Sequence, residues 1–296
     1  MSPIWQTTRF AIDLRRPQVM GIVNATPDSF SDGGRHASAA AAVRHCEKLV
    51  REGADILDIG GESSRPGSLP VPLDEERERV IPVLRAALGL GVPVSVDTCK
   101  PQIMQEALDL GADIINDIWA LRQPGALEAV AAHPACGVCL MHMHLDPLTM
   151  QSQPMEGDVV SQVLSFLEHK TQQLQAVGIQ KDRIVLDPGI GFGKTVAQNF
   201  AVMARQRELL APGCPLLAGW SRKSSLGAVT GLAVQERLLP SIAAAVLAVD
   251  RGARIVRVHD VGETVQALAV WQAMQDQAGD PTPSTIDASR QARPPT

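Results

Sequence analysis

The 296-residue chain lacks any excess of positive charge: its formal net charge is -5, and 20% of its residues are charged. That mild acidity gives no support for a nucleic-acid surface or a face adsorbed to a membrane. An anionic substrate is still compatible with it, because a phosphate site needs only a few convergent donors. The chain also lacks a long apolar run. The longest strongly apolar stretch near its end, 242–249, is too short to cross a bilayer. Residues 1–13 carry no positive stretch followed by an apolar core, so nothing there has the form of a signal peptide. Cysteine is sparse and scattered, at Cys46, Cys99, Cys136, Cys139 and Cys214. Cys136 and Cys139 have CxxC spacing, but neither a second pair nor histidines at finger spacing accompany them. They lie in a strand-like apolar run, which favours two buried thiols over a zinc or redox centre. A reduced, cytoplasmic protein without nucleic-acid or membrane partners is the expectation.

What is present is an alternation. Apolar residues make up 45% of the chain, enough for one large core. Short β-branched runs predict strands at 19–24, 56–60, 92–97, 113–117, 137–142, 184–187, 216–220 and 254–259. They are apolar on both faces, as strands covered on both sides are. Helical spacing fills the gaps at 39–52, from 73 onward, and at 101–110, 125–132, 160–177, 195–210, 236–249 and 262–277. Asp74 is placed to cap the second of these, and Pro101 sits just inside the third. Gly53, Gly111, Gly178 and Gly252 follow helices and precede strands, so they read as helix ends. Eight strand-then-helix units predict an α/β fold, a TIM (β/α)8 barrel with eight parallel strands, over an open doubly wound sheet. Residues 5–13 predict a short N-terminal hairpin placed to close the barrel bottom. The barrel domain is set at 1–278, and the proline-bearing segment 279–296 is expected to be a disordered tail.

In such a barrel the strand C-termini carry the active face, and here the strands end in polar residues. Asn24 closes the first, Asp58 sits in the second, Asp97 ends the third, and Asn116 with Asp117 ends the fourth. His142 ends the fifth and Asp187 the sixth, Lys223 lies just beyond the seventh, and Arg257 with His259 ends the eighth. Each alone could be a helix cap, an ion-pair partner or a satisfied core residue. The whole series is harder to explain that way. Arg257 and His259 are two apart on one strand and face the same side, where both could donate to phosphoryl oxygens. The turn Ser221-Arg222-Lys223-Ser224 could join them at an anion site or be a solvated basic turn. The run from Asp187 to Thr195 is not a P-loop, since Pro188 stands where the first glycine is required. It fails the dinucleotide fingerprint too, at Lys194. What remains is a sharply turned loop carrying Asp187 and Phe192. The polar loops 24–34 and 60–67 are longer than minimal connectors and suit lids.

These segments together resemble the dihydropteroate synthase family. The matching blocks run in family order: MGIVNATPDSFSDGG at 20–34, DIGGESSRPG at 58–67, SVDTCKP at 95–101, INDI at 115–118, CLMHMH at 139–144, LDPGIGFGK at 186–194, SRKS at 221–224 and RVHDV at 257–261. The resemblance implies a homodimeric barrel that condenses 6-hydroxymethyl-7,8-dihydropterin diphosphate with 4-aminobenzoate, with Mg2+ assisting and sulfonamides competing. It implies a pterin pocket of Asp97, Asn116, Asp187 and Lys223, a metal held by Asn24, and a diphosphate held by Arg257 and His259. Ser64, Arg65, Pro66, Phe192 and Ser221, with Phe30 and Asp28, would form the aminobenzoate site. It further implies an SN1-like route in which the diphosphate leaves before the amine attacks. The same resemblance leaves a pterin-dependent methyltransferase and a catalytically silent pterin-binding paralogue as other readings. The chain departs from the family pattern at Trp119, at Leu239-Pro240-Ser241 and, mildly, at Ser64.

Overall fold

The computed structural model describes residues 3–26, 34–63, 68–147, 149–150 and 152–278, the side chains of 34–38 excepted. Strands β1 (Ile4–Gln6) and β2 (Ala11–Asp13) pair antiparallel as a hairpin. Eight further strands follow: β3 (Gln18–Asn24), β4 (Ile56–Gly60), β5 (Val94–Asp97), β6 (Ile114–Asp117), β7 (Gly137–Met141), β8 (Ile184–Asp187), β9 (Leu216–Ala218) and β10 (Ala253–Val258). They are parallel and closed in the order β10-β3-β4-β5-β6-β7-β8-β9. Around them lie α1 (Gly34–Arg51), α2 (Leu73–Ala87), α3 (Pro101–Asp109), α4 (Ala126–Ala132), α5 (Val159–Ala176), α6 (Val196–Ala204), α7 (Ser224–Thr230), α8 (Leu238–Asp250) and α9 (Val261–Ala278). The chain is a TIM (β/α)8 barrel with an added N-terminal hairpin.

The two-residue repeat of a strand divides the core in two. Outward residues such as Val23, Leu57, Val96, Ile115, Leu140, Leu186 and Val256 pack under the helices. Inward residues Met20, Ile56, Ile114, Cys139, Val185, Leu217 and Ile255 fill the lower barrel, together with Trp5, Ile12 and Leu14 from the hairpin. Both sets are apolar, which is why the strands show no simple polar alternation. The hairpin closes the bottom as expected. Trp5 is fully buried, and its indole donates to the Arg183 carbonyl at 2.9 Å. Cys136 belongs to the outer layer and Cys139 to the inner one, so the two thiols do not converge.

Three local expectations need correction. Asp74 does not cap α2; the helix begins at Leu73 after Pro72, and Asp74 accepts from Arg77 within the first turn at 2.9 Å. The stretch expected as one helix at 195–210 breaks after Ala204 and resumes as a 3-10 turn, Gln206–Leu210. The break lets the buried Gln206 amide donate to the Ala248 carbonyl at 2.8 Å. Helix α7 is an addition to the expected set, since a serine-led segment with a central glycine has low helix propensity. At Gly227 the Arg237 guanidinium crosses the helix so closely that a side chain there would displace it. The segment 279–296, expected as a tail, lies outside the described residues.

Replacing Trp5 by alanine removes a buried indole and its hydrogen bond from the barrel floor. The expected cost is about 3–5 kcal/mol of unfolding free energy, measured by urea titration. A loss below about 1 kcal/mol would mean that the hairpin is not part of the cooperative core.

Candidate active site

The inward positions change character towards the strand C-termini. Above Ile56 on β4 comes Asp58, fully buried, and its neighbours across the sheet are Ile22 and Ser95. Arg257 on β10 reaches across to it. Nε of Arg257 donates to Asp58 Oδ2 at 2.6 Å, and Nη2 donates to Asp97 Oδ2 at 2.7 Å. The Asn116 amide donates to the same Asp58 oxygen at 3.2 Å. Four inward side chains from β4, β5, β6 and β10 therefore form one network. Burial alone would pull the Arg257 guanidinium down, but Asp58 and Asp97 outweigh it and hold the arginine charged. Burial pushes the Asp97 carboxyl up; Arg257 opposes that, while Asp58, Asp117 and Glu76 reinforce it. One guanidinium between two carboxyl groups uses one oxygen of each and leaves acceptor oxygens to spare, which suits a ligand edge rich in N–H groups.

Asp187, at the end of β8, starts the glycine-rich loop. Its Oδ1 accepts from the Gly189 N–H at 2.7 Å. Burial pushes this carboxyl up, while that hydrogen bond and the Lys223, Lys194 and Arg257 charges oppose the rise. Lys223 immediately precedes α7, and its Nζ lies 4.3 Å from the centre of the Phe192 ring. Burial pulls the Lys223 ammonium down to about 8, with Asp187 opposing. Ser221 and His259 form a couple. The His259 N–H donates to Ser221 Oγ at 3.2 Å, and that Oγ lies 2.9 Å from His259 Nδ1. Which atom of this pair donates follows the His259 tautomer; when the hydroxyl donates to Nδ1, the other ring nitrogen is a donor. The intervening Arg222 turns away, at φ +58°, to pair with Asp260 at 2.5 Å. Of the basic turn, Ser221 and Lys223 thus face the site, and Arg222 ties two loops together.

Asn24 ends β3 beside Gly60, on the inward side at the rim. The structure therefore brings Asn24, Asp97, Asn116, Asp187, Phe192, Ser221, Lys223, Arg257 and His259 to one end of the barrel. Asp28, Phe30, Ser64, Arg65 and Pro66 lie outside the described residues. Two polar strand ends have the structural role open to any of them. Asp117 accepts from the Trp119 and Leu121 N–H groups at 2.8 and 2.7 Å, bracing a turn in which Ala120 and Leu121 both have positive φ. This turn sets Trp119 beside Met141, Met143, Met150 and Phe192. His142 is buried and bonded to Lys194 rather than facing the opening. Among the described residues no three His, Cys, Asp or Glu side chains are grouped to hold a metal.

Asp58 is the partner to which the sequence alone assigns no role, although an aspartate inside an apolar strand is the available signal. Lys100 is another. It pairs with Glu62 at 2.6 Å and with the buried Glu76, which also accepts from Thr98 at 2.6 Å. That cluster fastens the base of the 60–72 loop to α2 and β5.

Against this geometry, the family model described as pterin binding enzyme matches residues 20–259. A dihydropteroate synthase from Neisseria meningitidis serogroup B is 52% identical over 277 residues, 92% of this chain and 97% of that protein. The chain belongs to the dihydropteroate synthase family. Solved dihydropteroate synthases share its fold. The Xanthomonas albilineans enzyme with 4-aminobenzoic acid aligns at a TM-score of 0.87 and 49% identity, covering 93% of this chain and 99% of that one. The Burkholderia cenocepacia enzyme complexed with 7,8-dihydropteroate aligns at 0.85 and 50%, covering 93% and 97%. As a member of the dihydropteroate synthase family the chain is a transferase, and no described helix is long and apolar enough to cross a membrane.

The lowered Lys223 sets a pH dependence. An unfolded chain keeps this proton up to the ordinary 10.5, the folded chain only up to about 8. Folding therefore releases a proton between those values, and the cost of burying the charge is absent above 10.5 and complete below 8. Measured against Lys223→Met by urea titration, the unfolding free energy of the parent rises as pH climbs from 8 to 10.5. The same difference at both ends would refute the assignment.

Proposed function

We propose that this chain condenses 6-hydroxymethyl-7,8-dihydropterin diphosphate with 4-aminobenzoate, releasing 7,8-dihydropteroate and diphosphate. The observation that carries the reading is the network in which Arg257 joins Asp58 and Asp97 beside Asn116. It offers carboxylate and amide groups suited to an N–H-rich bicycle at the same place as a fixed guanidinium. Asp97, Asn116 and Asp187 hold the pterin, and Lys223 donates to its ring carbonyl or N5. Among the described residues Nη1 of Arg257 makes no hydrogen bond, and it is directed to the diphosphate together with His259 and Ser221. Phe192 and Ser221 border the aminobenzoate, with Asp28, Phe30, Ser64, Arg65 and Pro66 as further contributors.

Asn24 would offer one neutral oxygen to a Mg2+ held chiefly by the substrate's own phosphate groups. Bound there, the ion would neutralise charge on the departing diphosphate. The protein groups do the rest. The methylene C–O bond breaks with its electron pair leaving on the diphosphate, where Arg257 and His259 meet the developing charge. The resulting cation spreads into the electron-rich pterin beside Asp97 and Asp187. The amine nitrogen of 4-aminobenzoate then bonds to the methylene carbon and releases its proton to solvent. No side chain acts as nucleophile, and an aromatic amine of low basicity needs no strong general base to expose its lone pair.

Diphosphate release requires both substrates together, stops in excess EDTA and returns with Mg2+. Arg257→Ala lowers kcat/KM for the pterin diphosphate by more than about a hundredfold while the circular dichroism spectrum is kept. Full activity of that variant at low pterin diphosphate would overturn the role. The order of bond changes has its own check. With 18O in the bridging C–O–P position, reversible ionisation moves label into non-bridging oxygens of recovered substrate. Migration of the label supports the stepwise route, whereas inversion-only turnover of a substrate made chiral at the methylene with deuterium, with no label migration, would replace it with a concerted one.

A further inference from the structure

Lys194 closes the glycine-rich loop and has no place among the substrate-holding residues above. Its side chain is buried, with the residue 3% exposed. An ammonium has three N–H groups, and this one has three acceptors: His142 Nδ1 at 2.9 Å, the Gly189 carbonyl at 2.9 Å and the Phe192 carbonyl at 3.3 Å. Burial pulls Lys194 down to about 7, with Asp187 opposing and Lys223 adding to the fall. Burial and the Lys194 charge together pull His142 down to about 2, so the imidazole is neutral and its Nδ1 can accept. His142 is itself held edge-on to Phe166, ring centres 5.0 Å apart.

The two carbonyls belong to the ends of one tight turn, closed by the Phe192 N–H to the Gly189 carbonyl at 3.1 Å. The turn is pressed onto the end of β7. A side chain at Gly189, φ +68°, would collide with the His142 carbonyl. One at Gly193, φ +71°, would meet His144. On its other side the turn presents the Phe192 ring to Lys223. The path from Lys194 to the site is therefore short: ammonium, two carbonyls, one aromatic ring.

We propose that Lys194 is a positioning residue, gathering the Gly189 and Phe192 carbonyls onto His142 and so fixing the Phe192 ring in the wall that 4-aminobenzoate meets. This rests on the assignment of Phe192 to the aminobenzoate site. Methionine at 194 has similar length but no donor. It would leave the Phe192 carbonyl and the His142 ring nitrogen without their donor and the Gly189 carbonyl with the Phe192 N–H alone, and the turn would relax to recover them.

The test compares Lys194→Met, Lys194→Gln, Phe192→Ala and the Lys194→Met/Phe192→Ala double variant by steady-state kinetics in both substrates. Lys194→Met is expected to raise KM for 4-aminobenzoate about tenfold, with kcat changed less than about threefold and the pterin diphosphate KM within about twofold. Lys194→Gln, which keeps a donor, recovers part of the loss. The double variant is no worse than the worse single one, because both changes act through the same ring. If Phe192→Ala leaves the aminobenzoate KM unchanged, the assignment of Phe192 fails and this proposal fails with it. If Phe192→Ala raises that KM while Lys194→Met does not, or the two effects multiply, Lys194 has no positioning role. Should Lys194→Met not fold, Lys194→Gln takes its place: a raised aminobenzoate KM that does not multiply with Phe192→Ala supports the role, and an unchanged or multiplying one overturns it.

Discussion

Asp58, Asp97 and Asn116 project into the barrel from three adjacent strands, and two of them are carboxylates in a space that water barely enters. Arg257, reaching across from β10, is what makes that crowding tolerable. A guanidinium is planar and offers donors in a fixed fork, so one residue can hold two carboxylates at set angles. Removing any one partner would strand the others, which is why buried ion networks of this kind are costly to break even when they add little to net stability. The polar end of the barrel is thus organised from within before any ligand arrives.

Much of this architecture is legible from the chain. The strands at 19–24, 56–60 and 184–187 are set by apolar runs that are covered on both faces, and that pattern survives without long-range information. Gly53, Gly111, Gly178 and Gly252 all adopt positive φ at helix ends, as their placement before strands implies. Asn24, Asp97, Asn116, Asp187, Lys223 and Arg257 can be placed at one rim because position along a barrel strand fixes which end a residue occupies. Their number makes the rim visible; the family blocks give them roles.

What is not legible depends on contacts between distant segments. Helix α7 carries Arg237, ten residues further on, across its glycine, and propensity alone argues against the helix. Asp58 opens a family block but is given no role by it, and its part appears only when β10 is laid beside β3 and the arginine crosses the barrel. Lys194 stands out in the sequence as the residue that spoils a dinucleotide motif and ends a family block, with no role attached to it. Its burial against His142 could not be inferred from residues fifty positions apart. Asp117 and Asn116 are neighbours in the chain with opposite fates, one bracing a turn and the other inward in the site, and strand alternation is what separates them.

The hairpin at the bottom has a consequence for traffic. With Trp5, Ile12 and Leu14 filling the floor, the barrel is a blind well, and molecules come and go by the same opening. The hairpin side chains and the inward strand residues seal that end together, so the polar strand ends are reached from the opposite rim.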